Sequence, residues 1–146
     1  MIVRLSEQEI DRLLHDRTLG HLGCSANGRP YVIPLSYVYE DGAIYGHTAE
    51  GLKLQIVRQN PEVCFQVEAI ESPSSWRSAV VWGRFEILRG EAGATAMRRF
   101  LARLHPTLGH GPGAAEAGLE QLVALSLARG VAYRIVIHER SGRSES

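Results

Sequence analysis

The chain has 146 residues, of which 45% are hydrophobic and 22% are charged, and its formal net charge at pH 7 is zero. This length and composition predict a single globular domain over residues 1–146 with a substantial core. The neutral balance argues against binding to nucleic acid or to a membrane through a basic surface. It permits self-association, because little like-charge repulsion opposes it.

The N-terminus and the cysteines bear on location. The opening stretch MIVRLSEQEIDRLL is too polar for a signal sequence, and no apolar run approaches the roughly 20 residues that span a bilayer. Cys24 and Cys64 match no zinc-binding spacing, and each lies in an apolar run, which favours buried, reduced thiols. We therefore expect a cytoplasmic protein without disulfides and without a metal site.

The first part of the chain predicts one helix and three strands. Ser6-x-x-Glu9 is a capping box that opens a helix, and Asn27-Gly28 is the strongest short signal for a hairpin. Pro34 cannot donate to a ladder, so its strand should be an edge, a bulge or a barrel rim at that point. The predicted elements are a helix over Glu7–Asp16 and strands over Thr18–Ser25, Pro30–Tyr39 and Ala43–His47.

The stretch from Ala43 to Pro61 predicts a strand, a turn and a helix over Leu52–Gln59. Thr48 is a candidate N-cap for that helix. A helix N-terminus offers unpaired N–H groups and a partial positive charge, which suit an anion such as phosphate. Lys53, the only lysine in the chain, lies in the first helical turn. The alternative is an ordinary strand–helix corner with a solvated lysine.

The second part of the chain predicts three more strands and two more helices. The predicted strands are Glu62–Ile70, Trp76–Leu88 and Val131–His138, and the predicted helices are Glu91–Leu104 and Ala114–Ala128, joined by a loop over His105–Gly113. The tail from Glu139 is polar, and we expect it to be frayed. Six short strands joined mainly by hairpin-length turns favour a small, mainly antiparallel barrel, closed or split.

Few residues carry a recognisable catalytic pattern. None of the six histidines lies in a metal-binding motif, and the chain has no G-x-S-x-G elbow, P-loop or dinucleotide-binding G-x-G-x-x-G. Asp11 and Asp16 are interpreted as part of a solvated helix face. The residues alone thus predict a mixed α+β barrel with one candidate anion site, and they name no ligand.

Several stretches in a characteristic order resemble a known family. These are GRPYVIPLSYVYEDGAIYGHTAEGLK, IVRQNPEVCFQVE, SAVVWGRFEIL and YRIVIHERSGR, which together cover most of residues 5–143. They resemble the FMN-binding split barrel of the pyridoxamine 5′-phosphate oxidase-like superfamily, in the branch related to nitroimidazole-resistance proteins. The resemblance implies an α+β, mainly β fold: a six-stranded antiparallel split β-barrel with flanking helices.

The resemblance also implies a cofactor site. It implies a homodimer with FMN in a cleft between the two subunits. His47 would lie near the flavin as a proton donor or substrate-orienting group, or would only pack against the cofactor. The implied cofactor-binding residues are Ile33, Pro34, Leu35 and Ser36 beside the isoalloxazine, His47 and Thr48 near the ring and ribityl chain, Lys53 at the phosphate and Ser78 from the other side.

The function implied is an FMN-dependent oxidoreductase acting on a small aromatic or nitro-aromatic compound. The alternative is a flavin-, deazaflavin- (coenzyme F420) or haem-binding protein without turnover. Oxidation of a vitamin B6 phosphate is a third possibility, and it ranks lower. Leu52 precedes Lys53 where the full oxidases carry a second basic residue, and Ser36 is likewise not basic. The physiological substrate and the electron donor stay open.

Overall fold

The computed structural model describes residues 1–104 and 114–146, and the predicted loop His105–Gly113 with its two histidines lies outside them. The helices are α1 (Glu7–Asp16), α2 (Leu52–Gln59), α3 (Gly90–Leu104) and α4 (Ala114–Ala128). The strands are β1 (Ile2–Arg4), β2 (Leu19–Ala26), β3 (Arg29–Ser36), β4 (Val38–Glu40), β5 (Ala43–Thr48), β6 (Glu62–Ser72), β7 (Ser75–Leu88) and β8 (Val131–Glu145).

All the strand pairs are antiparallel and belong to one sheet of order β3-β2-β6-β7-β8-β5-β4, with β1 added beside β8. The two ends of this path, β3 and β4, do not pair with each other among the described residues, so the sheet curls without closing. The architecture is the predicted α+β, mainly β split barrel. The predicted count of six strands is wrong, because the described residues form eight.

Local turn chemistry behaves as the sequence predicts. Asn27 and Gly28 have φ values of 55° and 77° and join β2 to β3. Such a two-residue turn with both φ values positive matches the twist of a hairpin. At the first helix, Glu9 N–H donates to Ser6 Oγ over 3.2 Å and Ser6 N–H donates to Glu9 Oε1 over 3.0 Å. The capping box therefore starts α1 at the predicted residue.

The predicted strand Pro30–Tyr39 is divided in two at Tyr37. The Tyr37 side chain is fully buried, and its hydroxyl donates to the Leu14 carbonyl over 2.6 Å. The backbone before Tyr37 pairs with β2, whereas Val38–Glu40 pairs with β5. Anchoring of this one residue in the core lets the chain leave one end of the sheet and join the other.

The C-terminal tail is ordered, contrary to the prediction that it frays. β8 continues to Glu145 and pairs with β7 along its length, from Ala132↔Leu88 to Glu145↔Trp76. Its last residues also pair with β1, which accounts for a strand that the sequence did not reveal. Polar composition is a poor guide here, because backbone N–H and C=O groups pair whatever side chains they carry.

Two groups of buried apolar side chains hold the layers together. The larger lies inside the barrel and includes Leu22, Phe65 and Val81. The smaller fixes α3 and α4 to the outside of the sheet through residues such as Met97 and Val123. In the described ranges, no helix has the length and apolar composition needed to cross a membrane.

A cluster of polar side chains binds α1 to the sheet. Tyr39 Oη donates to Asp11 Oδ1 over 2.6 Å, and the guanidinium of Arg140 contacts Asp11 and also donates to Glu7 Oε2 over 2.6 Å. The hydrogen bond from Tyr39 is the main cause that lowers the pKa of Asp11 below its ordinary value, and Arg140 adds to it. Asp11 is therefore a structural contact rather than part of a solvated helix face.

We expect this contact to make stability depend on acid pH. A carboxyl group whose pKa is lowered by folding stabilises the protein above its ordinary pKa of about 3.9, and that stabilisation is lost as the pH falls through the folded value. Asp11→Asn should therefore lose less stability than the wild type between about pH 5 and about pH 2. Urea unfolding at several pH values measures this difference.

Asp16→Asn is the matched control for this series, because Asp16 is an exposed carboxylate at the end of the same helix. It should keep the wild-type slope of unfolding free energy against pH. Equal slopes for the wild type and Asp11→Asn would show that the Asp11 cluster does not couple protonation to folding.

Candidate functional site

The first component of the site is the free edge of β3. Tyr37 N–H donates to the Thr18 carbonyl, on the side of β2. Across a trans peptide the Ser36 carbonyl must point the opposite way, and alternation along the strand turns the Pro34 and Val32 backbone the same way. Pro34 therefore stands where the ladder needs no donor, as predicted for an edge. The carbonyl of Pro34 and the N–H and C=O groups of Val32 and Ser36 face this edge of β3.

Tyr133 joins this edge to the opposite end of the sheet. Its hydroxyl donates to the Ser36 carbonyl over 3.2 Å, and burial raises its pKa, so the phenol stays protonated and able to donate. The ring passes over Gly46, where a Cβ would lie 2.5 Å from Tyr133 Oη. A side chain at position 46 would displace this ring. Gly46 thus allows β3 and β5 to approach each other.

The second component is the connection from β5 to α2. Thr48 is the last residue of β5, pairs with Val131 and is only 4% exposed. The N-cap of α2 is Gly51, without a side-chain hydrogen bond, so the prediction that Thr48 caps the helix is wrong. The turn is three residues longer than that prediction assumed. The Thr48 side chain is buried beside the site rather than exposed in it.

Lys53 is the second residue of α2 and is half-buried. Nearby, Arg58 donates twice to Glu50, with both N–O distances 2.9 Å, and this pairing is the main cause that lowers the pKa of Glu50. The carboxylate that precedes the helix is therefore matched by a guanidinium on the same helix. What remains at the first turn is the ammonium group of Lys53 and the unpaired helix N–H groups, a combination that attracts an anion.

His47 lies on β5 opposite Ala132 and is half-buried. Its Nε2 is 2.7 Å from the Ser126 carbonyl on α4. A carbonyl only accepts, so Nε2 carries the proton and donates it there. Gly130 makes this approach possible, because a Cβ at that position would lie 2.9 Å from Nε2. The imidazole is thus oriented by α4, and Nδ1 is the ring atom left for another contact.

Ser78 reaches the β3 edge through a row of side chains that the sequence did not single out. Gln66 Nε2 donates to Ser78 Oγ over 3.0 Å, and Gln66 Oε1 lies 3.3 Å from His21 Nδ1. His21 pairs directly with Pro34. The row crosses β3, β2, β6 and β7 on one face. The strand order places Gln66 of β6 between Pro34 and Ser78, two of the predicted site residues.

That face of the sheet also carries exposed apolar side chains. Directly paired residues share a face, and the pairs Gly23↔Val32, Gly23↔Cys64 and Cys64↔Trp82 link them across four strands. Leu19, Val32 and Ile70 are 58%, 65% and 62% exposed, and Trp82 is 38% exposed. We call this surface the outer sheet face; its apolar members are Leu19, Val32, Cys64, Ile70, Val80 and Trp82.

The predicted cofactor residues fall into distinct environments. The Pro34 carbonyl and the Ser36 N–H face the unpaired edge, where the Ser36 carbonyl already accepts from Tyr133. Leu35 is buried, and Ile33 is half-buried with its backbone turned to β2. Ser78 is on the outer sheet face, and Lys53 is at the helix start. A strand edge with backbone acceptors, and a cationic helix start whose Leu52 shares a groove with Tyr31 of the same strand, fit a flat, polar ring system that carries a phosphate. The residues therefore suit a flavin phosphate.

The fold defines an antiparallel split-barrel protein, and its site combines an unpaired strand edge with a cationic helix start. A family model for pyridoxamine 5′-phosphate oxidase matches residues 6–144. The chain therefore belongs to that family, in agreement with the resemblance found in the sequence.

Solved structures and a curated relative are similar to the chain. A FAD-binding protein from Mesorhizobium loti is 32% identical, with 100% of this chain and 99% of that chain covered and a TM-score of 0.77. A structure from Bacteroides thetaiotaomicron, described as a candidate 5-nitroimidazole antibiotic resistance protein, is 18% identical with a TM-score of 0.72, covering 99% of this chain and 87% of that one. At that identity it supports the fold alone.

The curated relative is an uncharacterized protein of Rhizobium meliloti. It is 31% identical over 94 residues, which are 64% of this chain and 62% of that protein. The match therefore spans less than two thirds of that relative's length.

Proposed function

We propose that this protein is a cytoplasmic flavoprotein that binds FMN, or the FMN part of a larger flavin, and transfers electrons to a small aromatic or nitro-aromatic compound. The observation that carries the proposal is the edge of β3 that pairs with no strand among the described residues, together with the start of α2, where Leu52 shares a groove with Tyr31 of β3. Family membership and the relative described as FAD-binding support the choice of a flavin.

Each part of the site has a defined task in this proposal. The Pro34 and Ser36 backbone meets the polar edge of the isoalloxazine, and Lys53 meets the phosphate together with the first N–H groups of α2. Ser78, held by Gln66, offers a hydroxyl from the outer sheet face. The flavin supplies the redox chemistry when bound, and the chain binds it, orients it and excludes water.

The choice of electron acceptor rests on how few cationic side chains stand among the proposed cofactor residues. Lys53 is followed and preceded by apolar residues, and the exposed Ser36 is uncharged. A substrate with its own phosphate, such as a vitamin B6 phosphate, needs cationic partners beyond the one assigned to the cofactor. A neutral aromatic acceptor needs none. This difference favours an aromatic or nitro-aromatic acceptor over pyridoxamine phosphate.

His47 is the candidate proton donor of the proposed reaction. Its Nε2 is already engaged with the Ser126 carbonyl, so transfer to a substrate must use Nδ1 in the doubly protonated ring. In the competing role, the imidazole donates no proton to a substrate and only holds α4 against β5 beside the cofactor. If His47 donates a proton, turnover falls as rising pH removes the second proton from its ring, and His47→Gln should abolish this alkaline limb of the pH profile. An unchanged profile supports the orienting role.

The deciding experiment is an absorbance spectrum of the purified protein, repeated after addition of FMN and gel filtration. Co-eluting flavin bands, bleached by a nicotinamide donor without oxygen and restored by a nitroimidazole, support the proposal. Stable flavin binding without electron transfer favours a carrier or sensor instead. A Soret band favours haem. A protein that is colourless as purified, keeps no added FMN and binds an added deazaflavin favours coenzyme F420.

We also propose that two copies of the chain associate through the outer sheet face and enclose the cofactor between them. The exposed apolar side chains of that face support this, since water contact with Leu19, Val32 and Ile70 is unfavourable. The neutral net charge adds no long-range repulsion between copies. A second copy brings the same face and needs no other partner.

Trp82→Glu tests this association. Placing a carboxylate in an apolar contact, and removing an aromatic anchor worth about 2 kcal/mol or more, should weaken dimerisation about thirtyfold or more. Light scattering during gel filtration, over a range of protein concentrations, measures the effect. Leu125→Glu is the control, since Leu125 is 50% exposed on α4, and it should leave the mass unchanged. A wild-type monomer at all concentrations, or a Trp82→Glu dimer, would contradict the proposed interface.

A further inference from the structure

A second concave surface lies next to the proposed phosphate position. It is a groove of about 280 Å³ between the hairpin that joins β2 to β3 and one face of α2. Leu52 lies at the start of this face, and Gln55 and Gln59 continue it at helical spacing. Over the eight residues Leu52–Gln59 the groove runs about 10 Å along the helix. We call it the α2 groove.

The α2 groove begins one residue before Lys53 along the helix. Leu52 is the residue before Lys53, so the first turn of α2 borders both places. A mononucleotide flavin terminates at its phosphate and leaves the α2 groove empty. A ligand that continues through a second phosphate has this groove within one residue of its first phosphate.

The groove has the chemistry to hold a nucleotide. Arg29 lies on the hairpin side, where a guanidinium can pair with a second phosphate through two parallel hydrogen bonds. Tyr31 offers an aromatic ring for stacking on a base. Leu52, which is 54% exposed, offers an apolar surface on the other wall.

Side-chain amides line the same walls. Asn27, Gln55 and Gln59 each carry both a donor and an acceptor, which matches the edge of an adenine. Asn27 Nδ2 and Gln59 Oε1 are 3.4 Å apart, a long contact that a ligand can replace. Among the described residues, no carboxylate lines the groove to repel a phosphate.

From this arrangement we propose that the protein prefers a flavin dinucleotide, and that the α2 groove binds the adenosine monophosphate half. The proposal rests on the proposed function, because it places the first phosphate at Lys53. Arg29 takes the second phosphate, Tyr31 stacks on the adenine, and the amides contact its polar edge. Specificity for FAD over FMN thus lies in residues that the isoalloxazine and its ribityl chain do not touch.

The test is calorimetric titration of the cofactor-free protein with FMN and with FAD, for the wild type and Arg29→Ala. The wild type should bind FAD about tenfold more tightly than FMN or better, the size of one charge-assisted contact. Arg29→Ala should lower FAD affinity about tenfold and leave FMN affinity within about twofold. Arg12→Ala removes an exposed arginine from α1 and should change neither.

The possible outcomes separate the role of the α2 groove from flavin binding itself. Equal affinities for FMN and FAD in the wild type would overturn the proposed role of the α2 groove and leave flavin binding intact. An equal loss of affinity for both flavins in Arg29→Ala would do the same. Failure to bind either flavin would overturn the proposed function as well. Since Arg29 is exposed at a hairpin end, the variant should fold, and its circular dichroism spectrum should match that of the wild type. A second variant, Leu52→Glu, places a negative charge at the entrance and should reduce FAD binding more than FMN binding.

Discussion

Lys53→Ala is expected to weaken FMN binding about tenfold or more while leaving the fold intact. A hydrogen bond between a cation and a phosphate contributes about 1.5–3 kcal/mol, and about 1.4 kcal/mol corresponds to a factor of ten. Lys53 makes no hydrogen bond or ion pair to another side chain within the described parts of the chain, so its removal should cost little stability. Titration of flavin fluorescence gives the dissociation constant of each variant.

The size of this effect depends on Glu50 being neutralised. Arg58 holds Glu50 with two hydrogen bonds, so Lys53 acts on the phosphate without competition from that carboxylate. Lys53→Arg keeps the charge and should restore most of the affinity, although the guanidinium differs in shape from the ammonium. Arg12→Ala again serves as the distant control. If Lys53→Ala bound FMN with wild-type affinity, the phosphate would not bind at the first turn of α2.

The second large effect is expected from Phe65→Ala, which should lower the free energy of unfolding by about 3–5 kcal/mol. Phe65 lies on β6 with no exposed surface and meets the Tyr37 ring edge-on, with centroids 5.1 Å apart. Its ring also fills the space above Gly20, where a Cβ would collide with it. Truncation leaves a cavity that these neighbours cannot fill without moving the backbone.

Urea unfolding of the cofactor-free protein measures this loss, because bound flavin would add its own stabilisation. Leu125→Ala is the matched control: it removes a large apolar side chain that is half exposed, and a change within about 0.5 kcal/mol is expected. A loss below about 1 kcal/mol in Phe65→Ala would mean that the barrel interior repacks around the missing ring. That result would show that the contact between Phe65 and Tyr37 is not what keeps the barrel interior rigid.

Interactions within a few residues were predictable from the sequence. The capping box of Ser6 and Glu9, the turn at Asn27-Gly28 and the helix end before Pro61 all depend on neighbours along the chain. Pro34 belongs to the same group, because its missing N–H confines it to an edge in any sheet. The candidate anion position at Lys53 was also predicted, since a helix start and its charge are both local features.

Long-range pairing was beyond such reasoning. Val38 could continue the pairing of β3 with β2, or it could pair with β5. Tyr37 decides between them, because its side chain is buried and its hydroxyl donates to the Leu14 carbonyl on α1. The ordered tail from Glu139 depends on pairing with β7 and β1, and backbone groups give no sequence signal of their partner.

The sequence by itself determined the mainly β composition, most element boundaries, the turns, the edge proline and the cation at the start of α2. The tertiary structure alone decided the strand order, the burial of Thr48 and the row from Pro34 through His21 and Gln66 to Ser78. It also placed Arg29 across a groove from α2. The physical reason is that local conformation is limited by covalent geometry and near neighbours, whereas side chains from distant strands meet only when the sheet has assembled.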